Sequence, residues 1–116
     1  MEGQCPLLRD IQVDPKELTI EYMGEKDLRE VLAIENAVFS EPWTENMFRQ
    51  EKLLTFSHCL SACTAGEVII GYSIFWIVAD EFHLNKIAVQ HEWQGRGVAS
   101  ALMTDMVRRA CHCGVR

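Results

Sequence analysis

An α/β (α+β) domain is predicted for this chain, a mixed β-sheet flanked by helices in the order strand–helix–helix–strand–strand–strand–helix. Three observations carry that prediction. Ala99, Leu102, Met103, Met106, Val107 and Ala110 recur at i, i+3, i+4, i+7, i+8 and i+11, the stripe of an amphipathic helix. Glu67 to Val78 is nearly all apolar, which suits a strand buried on both faces. Between Asn85 and Ala99 an apolar strand passes through a short polar turn, with Gly95-x-Gly97, straight into that last helix.

The elements follow in order. Residues 1–17 hold Pro6 and Pro15 without clear periodicity and read as an N-terminal extension. Leu18 to Tyr22, with Thr19, Ile20 and Tyr22, favour a first strand. Gly24 is placed to cap a helix whose first turn holds Asp27 and whose stripe is Leu28, Val31, Leu32 and Ile34, ending near Val38. Ser40-Glu41-Pro42 breaks it. Thr44 then caps a second helix carrying Met47, Phe48 and Leu54. His58 to Thr64 forms the second strand, Ala65-Gly66 the hairpin turn, and Glu67 to Val78 the third strand. Asp80-Glu81 turns the chain into a fourth strand, Phe82 to Val89. Gly114 is placed to end the last helix, whose methionines are expected in the core.

Composition narrows the function. The 116 residues suit one domain, and 48% hydrophobic with 24% charged content is that of a globular protein. No run approaches the about 18 apolar residues a membrane span needs. The polar, acidic start does not resemble a secretory signal, so a cytoplasmic location and no membrane partner are expected. The net charge of -6, without a basic face, argues against nucleic acid. The five cysteines are Cys5, Cys59, Cys63, Cys111 and Cys113. Their odd number suits reduced thiols. Their spacings lack the Cys-x-x-Cys pairing of zinc sites, so no metal is expected.

The turn from Gln94 to Ser100 is the clearest chemical feature. A glycine-bearing loop at a helix N-terminus offers backbone N–H groups and the positive end of the helix dipole to an anion. Gln94-x-x-Gly97-x-Ala99 after Ile87-Ala88-Val89 resembles the acetyl-coenzyme A pyrophosphate loop of the GNAT N-acetyltransferase superfamily. The resemblance extends over residues 18–116. Phe39-Ser40-Glu41-Pro42-Trp43-Thr44, Gly71-Tyr72 with Trp76 to Glu81, and His83 to Val89 are similar to segments of ribosomal-protein-alanine N-acetyltransferases.

The resemblance implies an enzyme that uses acetyl-coenzyme A as acetyl donor and a protein N-terminal amine as acceptor. It implies that the backbone of Ile87, Ala88 and Val89 pairs with the pantetheine arm. Gln94, Gly95, Arg96, Gly97, Val98, Ala99 and Ser100 then wrap the pyrophosphate, where a Cβ at position 97 would intrude. Phe39, Pro42 and Trp43 are implied to shape the acceptor side, with core packing as the alternative. His83 stands where some GNAT enzymes carry a catalytic Glu, and an imidazole titrating near about 6.5 suits a general base. A Glu on a fifth strand and a later Tyr, the family's usual base and acid, would fall beyond Arg116. The last helix is expected to lead right-handed to a further parallel strand. With no residues left for it, residues 18–116 read as the N-terminal and central part of a longer domain, its C-terminal strands missing.

Acceptors other than a protein N-terminus remain open on sequence grounds. The same fold serves small amines and lysine side chains. A catalytically inactive module that keeps only the coenzyme A loop is a third reading.

Overall fold

The computed structural model describes residues 18–114. The predicted extension, residues 1–17, and Cys5 lie outside them. Four strands form one sheet: β1 Thr19–Tyr22, β2 Ser57–Cys63, β3 Ile69–Val78 and β4 Glu81–Val89. Three α-helices accompany them: α1 Leu28–Val38, α2 Glu45–Lys52 and α3 Val98–His112. The predicted element order is observed. Among the described residues the sheet is antiparallel throughout, in the order β1-β2-β3-β4, with β4 at a free edge.

The strand faces divide the core in two. Cys59, Ile69, Tyr72, Ile74 and Ala88 face α1 and α2, where Val31, Ile34 and Phe48 meet them. Ala62, Ile70 and Val89 face Val98 and Leu102 of α3. Leu60 and Phe75 pack with Met106 further along the same helix. β3 is therefore covered on both sides from Ile69 to Phe75, as its apolar run predicts, while Val78 is exposed. Arg109 ties α3 to the opposite edge strand, donating to the Ile20 carbonyl at 3.1 Å and to Asp105 at 2.6 Å.

Local chemistry corrects several expected boundaries. Gly24 caps a short 3-10 turn, Glu25–Asp27, that precedes α1; the Asp27 carboxylate takes the Gly24 N–H at 2.7 Å. Thr44 caps α2 as expected, accepting the Met47 N–H at 3.2 Å, but Leu54 lies beyond that helix. The β2–β3 connection takes in residues 64–68, three more than Ala65-Gly66, with Thr64, Glu67 and Val68 outside the strands. Glu67 donates to the Thr64 carbonyl at 2.8 Å and takes φ 63°, so a residue expected in the strand closes the loop. The β3–β4 turn is Ala79-Asp80, one residue earlier than expected, and Glu81 already pairs with Val78. In α3, Met106 is buried, whereas Met103 and Val107 are exposed because no element covers that flank among the described residues.

Candidate active site

The end of β4 and the loop after it form the centre of the candidate site. The Gln90 N–H donates to the Ile70 carbonyl at 2.8 Å. In an antiparallel ladder the inward-facing residues alternate. Ala88, opposite Tyr72, therefore turns its N–H and C=O towards β3, while Ile87 and Val89 turn theirs to the free edge. The geometry separates the three residues expected to pair with a ligand as a group: two have polar backbone groups available at the edge, and Ala88 does not. The side chains of Val89 and Ala88 are buried on opposite faces of the sheet.

A 3-10 turn, His91–Trp93, leads from β4 into the glycine loop. Gly95 and Gly97 take φ 78° and 91°, the left-handed region where a Cβ is disfavoured. Gly97 is the N-cap of α3 and offers no side chain to its first turn. The first helical bond runs from the Ala101 N–H to the Gly97 carbonyl at 3.0 Å, so the Val98, Ala99 and Ser100 amides have no carbonyl within the helix. The sequence turns the chain here because only glycine enters this conformation at little cost, and α3 follows because its apolar stripe has a sheet to cover.

The neighbouring side chains have definite partners. Gln94 turns back and donates from Nε2 to the Val89 carbonyl at 3.0 Å, occupying one of the two outward groups at the end of β4. The Arg96 guanidinium lies 4.8 Å from the centre of the Trp93 ring. His91 donates from Nε2 to the Ala37 carbonyl at 3.1 Å, which joins the loop to the end of α1. His83 is exposed and lies 3.1 Å from Glu81. Val89 lies six positions further on, roughly 20 Å along a strand. The structure does not bring these two together.

Beside β4 lies a cluster that the sequence reading missed. Glu35 is the one charged residue among those described that is fully buried. Its carboxylate accepts from the Trp43 N–H at 2.8 Å, from the Lys86 ammonium at 2.8 Å and from the Tyr72 hydroxyl. Burial and the neighbouring carboxylate together push the Tyr72 phenol well above its usual range. The Lys86 ammonium also sits 4.1 Å from the centre of the Phe39 ring and 4.6 Å from that of Trp43. Phe39 and Trp43 are half-buried and packed against the core; Pro42 is exposed. A signal was present in the sequence: Glu35 falls four residues after Val31 and seven after Leu28, on the apolar stripe of α1.

The site suits an extended ligand ending in an anion. The free edge of β4 offers unpaired strand hydrogen-bonding groups, and the loop that follows offers α3's first amides in the field of the helix dipole. No group of three or more His, Cys, Asp or Glu side chains converges to hold a metal among the described residues. Cys59 is buried and half-buried Cys63 packs on the same face, while Cys111 and Cys113 are exposed.

Comparison with known proteins agrees with this geometry. Residues 28–116 match the model of the acetyltransferase (GNAT) family. A Bacillus subtilis protein described as a putative [ribosomal protein bS18]-alanine N-acetyltransferase is 30% identical over 89 residues, which are 76% of this chain and 58% of that protein. The crystal structure of the ribosomal-protein-S18-alanine N-acetyltransferase from Escherichia coli is similar at 26% identity, with a TM-score of 0.76, over 84% of this chain and 62% of that one. AAC(6')-Iy, solved in complex with the bisubstrate analog CoA-S-monomethyl-acetylneamine, shares the fold at 19% identity, with a TM-score of 0.70, over 85% of this chain and 75% of its own. The chain thus spans about three fifths of the length of the two alanine N-acetyltransferases it resembles. With the family model covering the chain from α1 onward, the protein belongs to the acetyltransferase (GNAT) family.

Proposed function

We propose that residues 18–116 are the N-terminal and central part of an acetyl-coenzyme A-dependent N-acetyltransferase domain, preceded by an extension at residues 1–17. The whole protein then acetylates the N-terminal amine, Ala or a similar small residue, of a protein such as a ribosomal protein. Such substrates fit a cytoplasmic setting. One observation carries the reading: the outward backbone of Ile87 and Val89 runs directly into a left-handed glycine loop and the uncapped first turn of α3. The relative at 30% identity supports the choice of acceptor.

Acetyl-coenzyme A supplies an acetyl group activated as a thioester. The residues present fit its binding in three ways. The β4 edge pairs with the pantetheine amides. The Val98, Ala99 and Ser100 amides and the dipole of α3 hold the pyrophosphate. The Val89 N–H, on the outward side of the ladder, is available to an oxyanion in the transition state. Phe39, Pro42 and Trp43 line the acceptor side from the loop between α1 and α2. The principal acid and base belong to the part of the domain that follows; His83, at the opposite end of β4 from Val89, is too far from the oxyanion site to act there as the general base.

Calorimetry with coenzyme A tests the donor site. Gly97→Asp adds a side chain at φ 91° and a like charge beside the phosphates, and affinity is expected to fall at least about tenfold. Equal affinity in that variant would remove the assignment. Mass spectrometry of a peptide panel, run with a version extended through the missing strands, tests the acceptor. Acetyl transfer confined to lysine or small amines would replace the N-terminal amine reading. Coenzyme A binding without any transfer would make the domain a binding module.

A further inference from the structure

Glu35 has no part in the function proposed so far. It sits fully buried on α1, yet its three donors come from elsewhere: the Trp43 amide of the α1–α2 loop, Tyr72 of β3 and Lys86 of β4. The Lys86 side chain is itself only 10% exposed. Its ammonium rests against the rings of Phe39 and Trp43 as well as the carboxylate. A side chain of the strand assigned to the donor thus supports two residues of the loop assigned to the acceptor.

Stability alone is a weak reason for such a pair. Replacing a buried ion pair with well-packed neutral side chains is often neutral or favourable, whereas stranding one partner is costly. What the pair does supply is a fixed distance. Lys86 immediately precedes Ile87, whose N–H and C=O face the free edge, and Glu35 anchors the backbone of the loop at Trp43. Reactions between two bound partners are sensitive to displacements of about 1 Å, so a rigid tie between the two walls has catalytic value.

We infer that Glu35 and Lys86 are positioning residues for acyl transfer, setting the distance between the acceptor-side loop Phe39–Trp43 and the donor edge of β4. The inference rests on the proposed acetyltransferase reading. Its test uses the version extended through the strands that follow and two probes: coenzyme A, followed by calorimetry, and a C-terminally labelled hexapeptide beginning with Ala, followed by fluorescence anisotropy at saturating coenzyme A. The informative variant is the double substitution Glu35→Gln with Lys86→Met. Gln retains an oxygen for the Trp43 N–H and turns an amide N–H to the Tyr72 hydroxyl, which then accepts instead of donating, and no charge is left stranded.

The double variant is expected to melt as a folded protein and to hold coenzyme A within about twofold, while peptide affinity falls at least about tenfold. Lys86→Arg, which keeps the charge and the contact with the rings, is expected to retain part of the peptide affinity. Unchanged peptide affinity in the double variant would overturn the inference. So would a parallel loss of both affinities with the melting transition, because the pair would then be only a core contact. If the unsubstituted chain binds coenzyme A but not the peptide, the acceptor-side assignment fails and takes this inference with it. If it binds neither, the donor assignment fails first.

Discussion

At the residue scale, Glu35 and Cys59 show what burial does to ionisable groups. Glu35→Ala leaves the Lys86 ammonium without its carboxylate in a site 10% exposed, and a stranded buried charge costs about 3–5 kcal/mol. Urea denaturation is expected to show a loss of that size for the single variant and a much smaller one for Glu35→Gln with Lys86→Met. Equal losses would mean that charge pairing is not what Glu35 contributes. Cys59 behaves differently. Burial pushes its thiol from an ordinary 9.0 up to about 11. The unfolded chain therefore ionises at lower pH than the folded one, so stability is intact below 9.0 and declines as pH rises towards 11. The Tyr72 phenol, also raised, adds to the decline with the same sign. Melting temperature measured across that range is expected to fall less steeply in Cys59→Ala; an unaltered slope would acquit Cys59. Near neutral pH, alkylation should label exposed Cys111 and Cys113 well before Cys59.

At the scale of elements, the hydrogen-bond alternation of β4 makes the sharpest prediction. Amide exchange is expected to be fast at Ile87 and Val89, whose N–H groups face the edge, and slow at Ala88 and Gln90, which face β3. Added coenzyme A should protect the first pair. Protection of Ala88 without Val89 would reverse the register on which the donor site is built. Thr44→Ala removes the cap of α2 and is expected to cost about 1 kcal/mol in a denaturant titration. The same elements show how far the sequence could be read. Periodicity located α1, α3 and the buried run of β3 because burial leaves a repeating record in residue type. Turn ends were less legible: Glu67 and Ala79 adopt positive φ although neither is a usual turn residue, since strand register rather than side-chain preference puts them there. The glycine loop was legible because backbone conformation demanded glycine. Glu35 was not, since a carboxylate on an apolar stripe becomes meaningful only when Trp43, Tyr72 and Lys86 are seen converging on it.

At the scale of the whole molecule, the free edge of β4 and the exposed flank of α3 set the behaviour of the isolated chain. Leu84, Met103 and Val107 are 43%, 39% and 55% exposed, and β4 carries unpaired backbone groups beside them. Unprotected strand edges next to apolar surface recruit further chains. Sedimentation is expected to show self-association that increases with concentration, and heating a broad transition. A monodisperse monomer with a sharp melt would show that the edge needs no cover. The buried carboxylate carries a further consequence, for the order in which the chain assembles. Glu35 finds its partners at positions 43, 72 and 86, the farthest of them fifty-one residues away in sequence. A collapsed intermediate with α1 on the sheet, but β4 not yet in register, would enclose a lone carboxylate. Such states are raised in energy, and α1 and the β3–β4 hairpin should dock in one late cooperative step rather than one after the other.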